Sequence, residues 1–139
     1  MKEDFTIIER IRIPSDHSSL KDVEKLVDAV CAKLNVDEDN YGNVLIAVTE
    51  AVNNAIEHGN GGVSDLTVEV AVGDTSNTFC FSISDEGLGF DYLNLPDPTA
   101  PENVLKENGR GIFLMKNLAD EVEFNEKGNN VTVYFNALL

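Results

Sequence analysis

Glu50 and Asn54 lie four residues apart in TEAVNNAIEHGN, residues 49–60. On a helix that spacing sets two side chains on one face, one turn apart. Glu50 offers a carboxylate able to take a proton, and Asn54 an amide oxygen able to ligate a hard cation. The pair suits phosphoryl transfer from a metal-bound nucleotide.

Two later segments set glycines beside polar groups. In DEGLGF, residues 85–90, Asp85 continues the period-two series Phe79, Phe81, Ile83, so its carboxylate is expected on the same side as those apolar residues. A carboxylate facing a core needs a hydrogen-bond donor. No basic residue is near in sequence, and a purine's exocyclic amino group is one such donor. Gly87 and Gly89, lacking a Cβ, would let the backbone approach a flat ligand. The plainer alternative is an acidic turn in which Asp85 bonds its own loop. In NGRGIFLMKNLADEV, Gly109 and Gly111 precede a helical pattern of Ile112, Met115 and Leu118. Free N–H groups at such a helix start could cradle an anion. An ordinary loop-to-helix junction, with Arg110 in solvent, would read the same way.

The elements that must position these groups follow from periodicity. Tyr41, Val44, Leu45, Val48, Val52, Ala55 and Ile56 recur at helical steps, with Asp37 or Asp39 to cap the start and Gly59 to end it. Glu50, Asn53, Asn54, Glu57 and His58 fall opposite that stripe, where a face merely wetted by solvent is the competing reading. Ile46 within the polar stripe points to a surface that is not plain solvent. Leu20, Val23, Leu26, Val27, Val30, Cys31 and Leu34 form another amphipathic helix, with Ser18 and Ser19 as candidate caps.

An extended segment is expected around Phe5 to Ile13, a hairpin of strands over Leu66 to Val72 and Phe79 to Ile83, and a short helix from about Gly111 to Leu118. Two last strands, Val122 to Asn125 and Val131 to Phe135, flank a turn at Gly128 and Asn129. The order fits an α+β fold in two layers, with helices on one face of a mostly antiparallel sheet. Residues 91–108 contain Pro96, Pro98 and Pro101 with Leu93, Leu95 and Val104, and are expected to form a lid over a ligand, with plain disorder as the rival.

The chain of 139 residues is read as a single domain, 1–139. It has no apolar run long enough to span a bilayer and no signal-like N-terminus, so a cytoplasmic protein with no membrane partner is expected. Cys31 and Cys80 are expected as buried core thiols. A net charge of −15 repels a phosphate backbone and argues against direct nucleic-acid binding. No Lys or Arg occurs between Lys33 and Lys106. Phosphates bound by the middle of the chain would rely on a divalent cation, backbone amides and the cations that follow, Lys106, Arg110 and Lys116.

Taken together, the three motifs resemble the GHKL superfamily, the ATPase fold of gyrase, histidine kinases and mismatch-repair proteins, over nearly the whole chain. TEAVNNAIEHGN is similar to that family's first box, DEGLGF to its adenine-binding box and NGRGIFLMKNLADEV to its glycine-rich lid-end box. In size and motif wording the chain most resembles the stand-alone bacterial anti-sigma factor serine/threonine protein kinases. The resemblance implies ATP and magnesium, with Glu50 as general base, Asn54 as the magnesium ligand and His58 near the phosphates or simply at a polar helix end. It implies Asp85 on the adenine amino group, Gly87 and Gly89 lining the base, and Gly109 and Gly111 opening the phosphate-contacting helix. Lys106 and Arg110 are assigned to phosphates from charge alone, and Arg110 could instead meet a partner's carboxylate.

The implied activity is phosphorylation of a serine or threonine on a small antagonist protein of the anti-anti-sigma kind. A sigma factor or other regulator would be the second partner, and the kinase itself a homodimer. The alternative is a nucleotide-gated binding regulator with little or no transfer, since binding alone needs Asn54 and Asp85 but no base. The scarcity of cations sets a first expectation. Chelating the divalent metal should lower ATP affinity sharply in a fluorescence titration, and undiminished affinity in EDTA would remove the metal-dependent reading.

Overall fold

The computed structural model describes residues 1–61, 63, 65–87 and 107–136, with the backbone alone for 107–110. Its strands are β1 (Thr6–Pro14), β2 (Thr67–Asp74), β3 (Phe79–Ser84), β4 (Glu121–Phe124) and β5 (Asn130–Phe135), in the spatial order β1-β2-β3-β5-β4. Every pairing among them is antiparallel. The expected alternation is present, and register turns it into rows that cross the sheet. Ile11 pairs with Val70, Val70 with Ile83, Ile83 with Val131 and Val131 with Phe124. A second row joins Val72, Phe81, Val133 and Val122. Side chains in register alternate faces together, so one face becomes continuously apolar. Phe79 stacks on Phe135 at 5.3 Å between ring centroids and closes that face at one end.

Helices α1 (Leu20–Lys33), α2 (Glu38–Asn54) and α3 (Glu107–Leu118) cover the apolar face. Their buried residues, among them Val23, Val27, Val44, Val48, Val52, Ile112 and Met115, join the sheet's in one core cluster. The fold is therefore α+β in two layers, as expected, since a sheet with one apolar face is stable only when helices bury it.

Local chemistry sets most of the element ends. The Asp37 carboxylate accepts the Asn40 N–H at 2.8 Å and so caps α2, which settles the choice between Asp37 and Asp39. The caps expected for α1 differ. Asp16 caps a short 3₁₀ turn, His17–Ser19, by accepting from the Ser18 N–H, and Ser19 is already helical and makes no capping bond. In the β4–β5 turn, the Asn125 side-chain oxygen takes the N–H groups of Gly128, Asn129 and Asn130 at 2.7, 3.0 and 3.2 Å. Gly128 supplies the positive φ of 78° which that turn requires.

Two boundaries correct the sequence reading. Helix α3 begins at Glu107, so Gly109 and Gly111 lie inside it and residues 107–108 leave the expected lid. Glycine is a weak helix former, and here packing against α2 overrides its propensity. The α-helical part of α2 stops at Asn54, and Ala55–Gly59 continue as one turn of π geometry, with the Asn60 N–H donating to the Ala55 carbonyl at 2.8 Å. The remaining expected lid residues, 91–106, lie outside the described residues.

No helix among the described residues is long and apolar enough to cross a membrane. Both thiols are buried, and burial pushes Cys31 and Cys80 up to about 11, as core thiols should behave. Removing the one side-chain cap of α2 gives a direct test of its local logic. Asp37→Ala should lower the unfolding free energy by about 1 kcal/mol in urea denaturation, and an unchanged midpoint would show that the cap does not hold the helix.

Candidate functional site

The polar stripe of α2 and its extension is only partly solvated: Asn54 is buried, Glu50, Asn53 and Glu57 are half-buried, and His58 and Ile46 are exposed. Helix α2 packs on the sheet through Val44, Val48 and Val52, while Ala47, Ala51 and Asn54 are buried as well. Helix α3 covers much of that second side. Gly111 eases the approach, because a Cβ there would stand 3.1 Å from Glu50 Oε2. Gly111 is thus a close-packing residue of the helix body, whereas the sequence places it at the helix mouth. Glu50, Asn53, Asn54, Glu57, His58 and Gly111 line one small cleft.

Asp85 stands at the end of β3, and its carboxylate lies against the backbone of Gly59, on the side of the helices as its parity requires. The contact leaves no space. A Cβ at Gly59 would overlap that carboxylate, and a Cβ at Gly87 would overlap the Gly59 carbonyl. Burial raises the Asp85 pKa above the usual carboxylate value, with the Gly87 N–H, donating at 2.8 Å, pulling the other way. Asp85 thus does bond its own loop, through Oδ1. It also lines a cleft walled by Ala51, Ile83, Phe124 and Val131. Asn54 and Asn130 also line it, and the Asp85 carboxylate among apolar walls is an acceptor for a ligand's amino donor.

The sequence did not point to the residue that holds this arrangement. Asn60 is buried, and its side-chain nitrogen donates to Ser15 Oγ at 2.7 Å and to the Thr67 carbonyl at 3.0 Å. Its oxygen accepts the Glu86 N–H at 2.8 Å. One amide therefore joins the end of β1, the start of β2, the end of the α2 extension and the loop bearing Asp85. The Asp85 N–H donates to the Asn129 carbonyl at 3.0 Å and anchors the same residue from the β4–β5 turn. An amide just after a helix-ending glycine carries no periodic signal that would mark it.

Asn54 lines both clefts. Its side-chain oxygen is buried and has no hydrogen-bond partner, and the same holds for Asn53. A buried acceptor without a donor is costly, and a hard cation satisfies an amide oxygen. The residues present therefore fit a divalent metal. Among the described residues no group of three His, Cys, Asp or Glu could hold one, so amide, phosphate and water oxygens would have to form the shell. His58 sits exposed on the rim, 3.9 Å from Glu57, whose other oxygen pairs with His17 at 2.9 Å. Gly89 and Lys106 lie outside the described residues, and Gly109 and Arg110 are placed only as backbone in the first turn of α3.

A two-layer sandwich with a carboxylate–amide pair on its central helix and an aspartate at the facing strand end is the layout of a nucleotide-binding ATPase domain. The sequence profile of the histidine kinase-like ATPase domain family matches residues 13–135, and the chain belongs to that family. It is 29% identical over 144 residues to the serine-protein kinase RsbW of Staphylococcus aureus strain JH9, across 95% of this chain and 86% of that protein. The RsbW of strain Newman matches to the same extent. Among solved structures it is similar to the RsbU and RsbW domains of Rv1364c from Mycobacterium tuberculosis, with a TM-score of 0.58 at 17% identity. That alignment covers 92% of this chain and 32% of the longer one, and it bears on the fold.

The state of Asp85 gives a prediction with a definite sign. A carboxyl whose pKa is raised on folding binds its proton more tightly in the folded chain, so folded stability falls as pH rises from the ordinary carboxylate range through the raised value. Asp85→Asn keeps the Oδ1 acceptor for Gly87 and removes the charge. The variant should melt higher than wild type at pH 7 without ligand, with the difference closing at acid pH, and should lose adenine-nucleotide affinity. Normal ATP binding by this variant would remove the adenine assignment.

Proposed function

We propose that this protein is an ATP-dependent serine/threonine protein kinase that phosphorylates a small antagonist protein and thereby controls release of a second regulator, such as a sigma factor. The observation that carries the reading is Asn54 standing between the Glu50 cleft and the Asp85 cleft. A nucleotide laid across it would meet a base-recognising carboxylate at one end and a proton acceptor at the other. Similarity to serine-protein kinases over most of both chains supports the protein substrate.

In this reading Asp85 accepts from the adenine amino group, and Gly87 and Gly89 admit the ring. Asn54 would hold magnesium through its side-chain oxygen, and the ion, when bound, would offset the charge of the phosphates. The acceptor hydroxyl attacks the γ-phosphorus, its proton passes to Glu50, and the bond to the β-phosphate oxygen breaks to release ADP. His58 stands at the phosphate end of the cleft. The phosphates would be met by backbone N–H groups at the start of α3, which holds Gly109, Arg110 and Gly111, with Lys106 and Arg110 assigned as their cations and residues 91–106 as the lid. The whole chain acts as one domain, as a homodimer, in the cytoplasm.

Product release follows from charge. A phosphoryl group adds about −1.5 to −2 charges to the antagonist, and the kinase already carries −15. Repulsion then weakens the complex and frees the kinase for its other partner. The test is phosphate transfer from γ-labelled MgATP into a lysate of the source cell, with wild type and Glu50→Ala side by side. A single small protein labelled on serine or threonine by wild type alone is expected, together with nucleotide binding by both. Equal labelling by the variant places the base elsewhere, and ATP binding with no labelling by wild type makes the chain a nucleotide-gated binding module.

A further inference from the structure

Asn53 has no role in the chemistry described above, yet its side-chain oxygen is buried without a partner, as is that of Asn54. At roughly 100° per residue the two amides flank Glu50 on the helix surface, one to each side. Asn53 lines the same cleft as Glu50, Asn54 and Gly111. A buried amide oxygen is satisfied by the protein or by ordered water, and Asn60 takes the first course with the Glu86 N–H. A second acceptor with no donor from the protein, in the same cleft as Asn54, is open to a donor that arrives with the ligand. Magnesium keeps several of its waters when it binds phosphates and one or two protein oxygens, and those waters are strong donors.

We infer that Asn53 is a second amide of the cation site, its oxygen accepting a hydrogen bond from a water on the divalent ion that Asn54 ligates. The inference rests on the reading of the cleft as the magnesium-nucleotide site. Asn53 is a positioning residue in that site. It orients the hydrated ion relative to Glu50 and does not touch the phosphoryl group. The neighbours that face it are Glu57 and His58 on its own helix extension and Gly111 on α3, and the Glu57 carboxylate is engaged by His17 at 2.9 Å.

Replacement by leucine, which is close in volume and removes the orphaned acceptor, separates this role from a structural one. Asn53→Leu should melt at the wild-type temperature or above without ligand, because a buried unsatisfied oxygen is gone. Its affinity for a fluorescent ADP analogue in EDTA should equal that of wild type. The magnesium concentration that half-saturates the metal-dependent gain in ADP affinity should rise about tenfold, the scale of losing a partner behind a metal ligand. Asn53→Asp keeps the acceptor and should retain the metal dependence, and it carries the test if the leucine variant does not fold. An unchanged half-saturation in Asn53→Leu, loss of ADP affinity in EDTA by the same factor, or loss of metal dependence in Asn53→Asp would each overturn the inference. If wild type itself shows no magnesium dependence, the nucleotide reading of the cleft fails first and takes the role of Asn53 with it.

Discussion

The contact on which the site depends is the one between the Asp85 carboxylate and the backbone of Gly59, with Gly87 closing on the Gly59 carbonyl. A Cβ at either glycine would overlap its neighbour, so the end of the helix layer and the end of the central strand can meet only because two side chains are absent. A carboxylate pressed against backbone at a layer interface would normally be expelled into solvent. It stays because both flanks are tied down. The Asp85 N–H is held by Asn129, the Glu86 N–H by Asn60, and the Gly87 N–H by Asp85 itself.

That arrangement is costly for the free protein, and the rest of the fold offsets it. Asp85 is pushed toward its protonated form by burial, and the Asn53 and Asn54 oxygens lack donors. Each such group costs on the order of 1–3 kcal/mol. The apolar rows from Ile11 to Phe124 and from Val72 to Val122, roofed by Val44, Val48 and Val52, supply stability at a distance from the cleft. The core is conventional and the unsatisfied groups gather at one end of α2, which is the pattern of a surface waiting for a ligand.

How far the sequence could be read depends on whether a feature is local. Val68, Val70, Val72 and Phe79, Phe81, Ile83 alternate within single strands, so the hairpin and its inner face were legible, and the α+β class followed from element order. The four-residue spacing of Glu50 and Asn54 was legible for the same reason. Asn60 was not, because its partners Ser15 and Glu86 stand 45 and 26 residues away and nothing in its neighbourhood reports them. The start of α3 was misplaced by four residues, since Gly109 and Gly111 read as breakers until α3 is seen packed beside Glu50 of α2. The partial burial of the polar stripe, complete only at Asn54, had the same cause, a second helix that no one-dimensional period reveals.

The π turn at Ala55–Gly59 ties these observations together. An α-helical continuation of α2 would bond each N–H four residues back, whereas the Asn60 N–H reaches five residues back to Ala55. The wider turn carries Gly59 outward to Asp85 and leaves Asn60 at a point from which one amide reaches β1, β2 and the Asp85 loop. Turns of this kind are poorer in packing than α-helix and persist where a displaced residue has work to do. Here Gly59 meets the Asp85 carboxylate, and Asn54, just before the turn, lines the cleft that Asp85 lines. On the proposed reading, Asn54 stands between the adenine and the phosphates of one nucleotide. Base recognition and metal binding are then not independent: both hang on Asn54 and the five residues after it, so a change in that turn should disturb the two together.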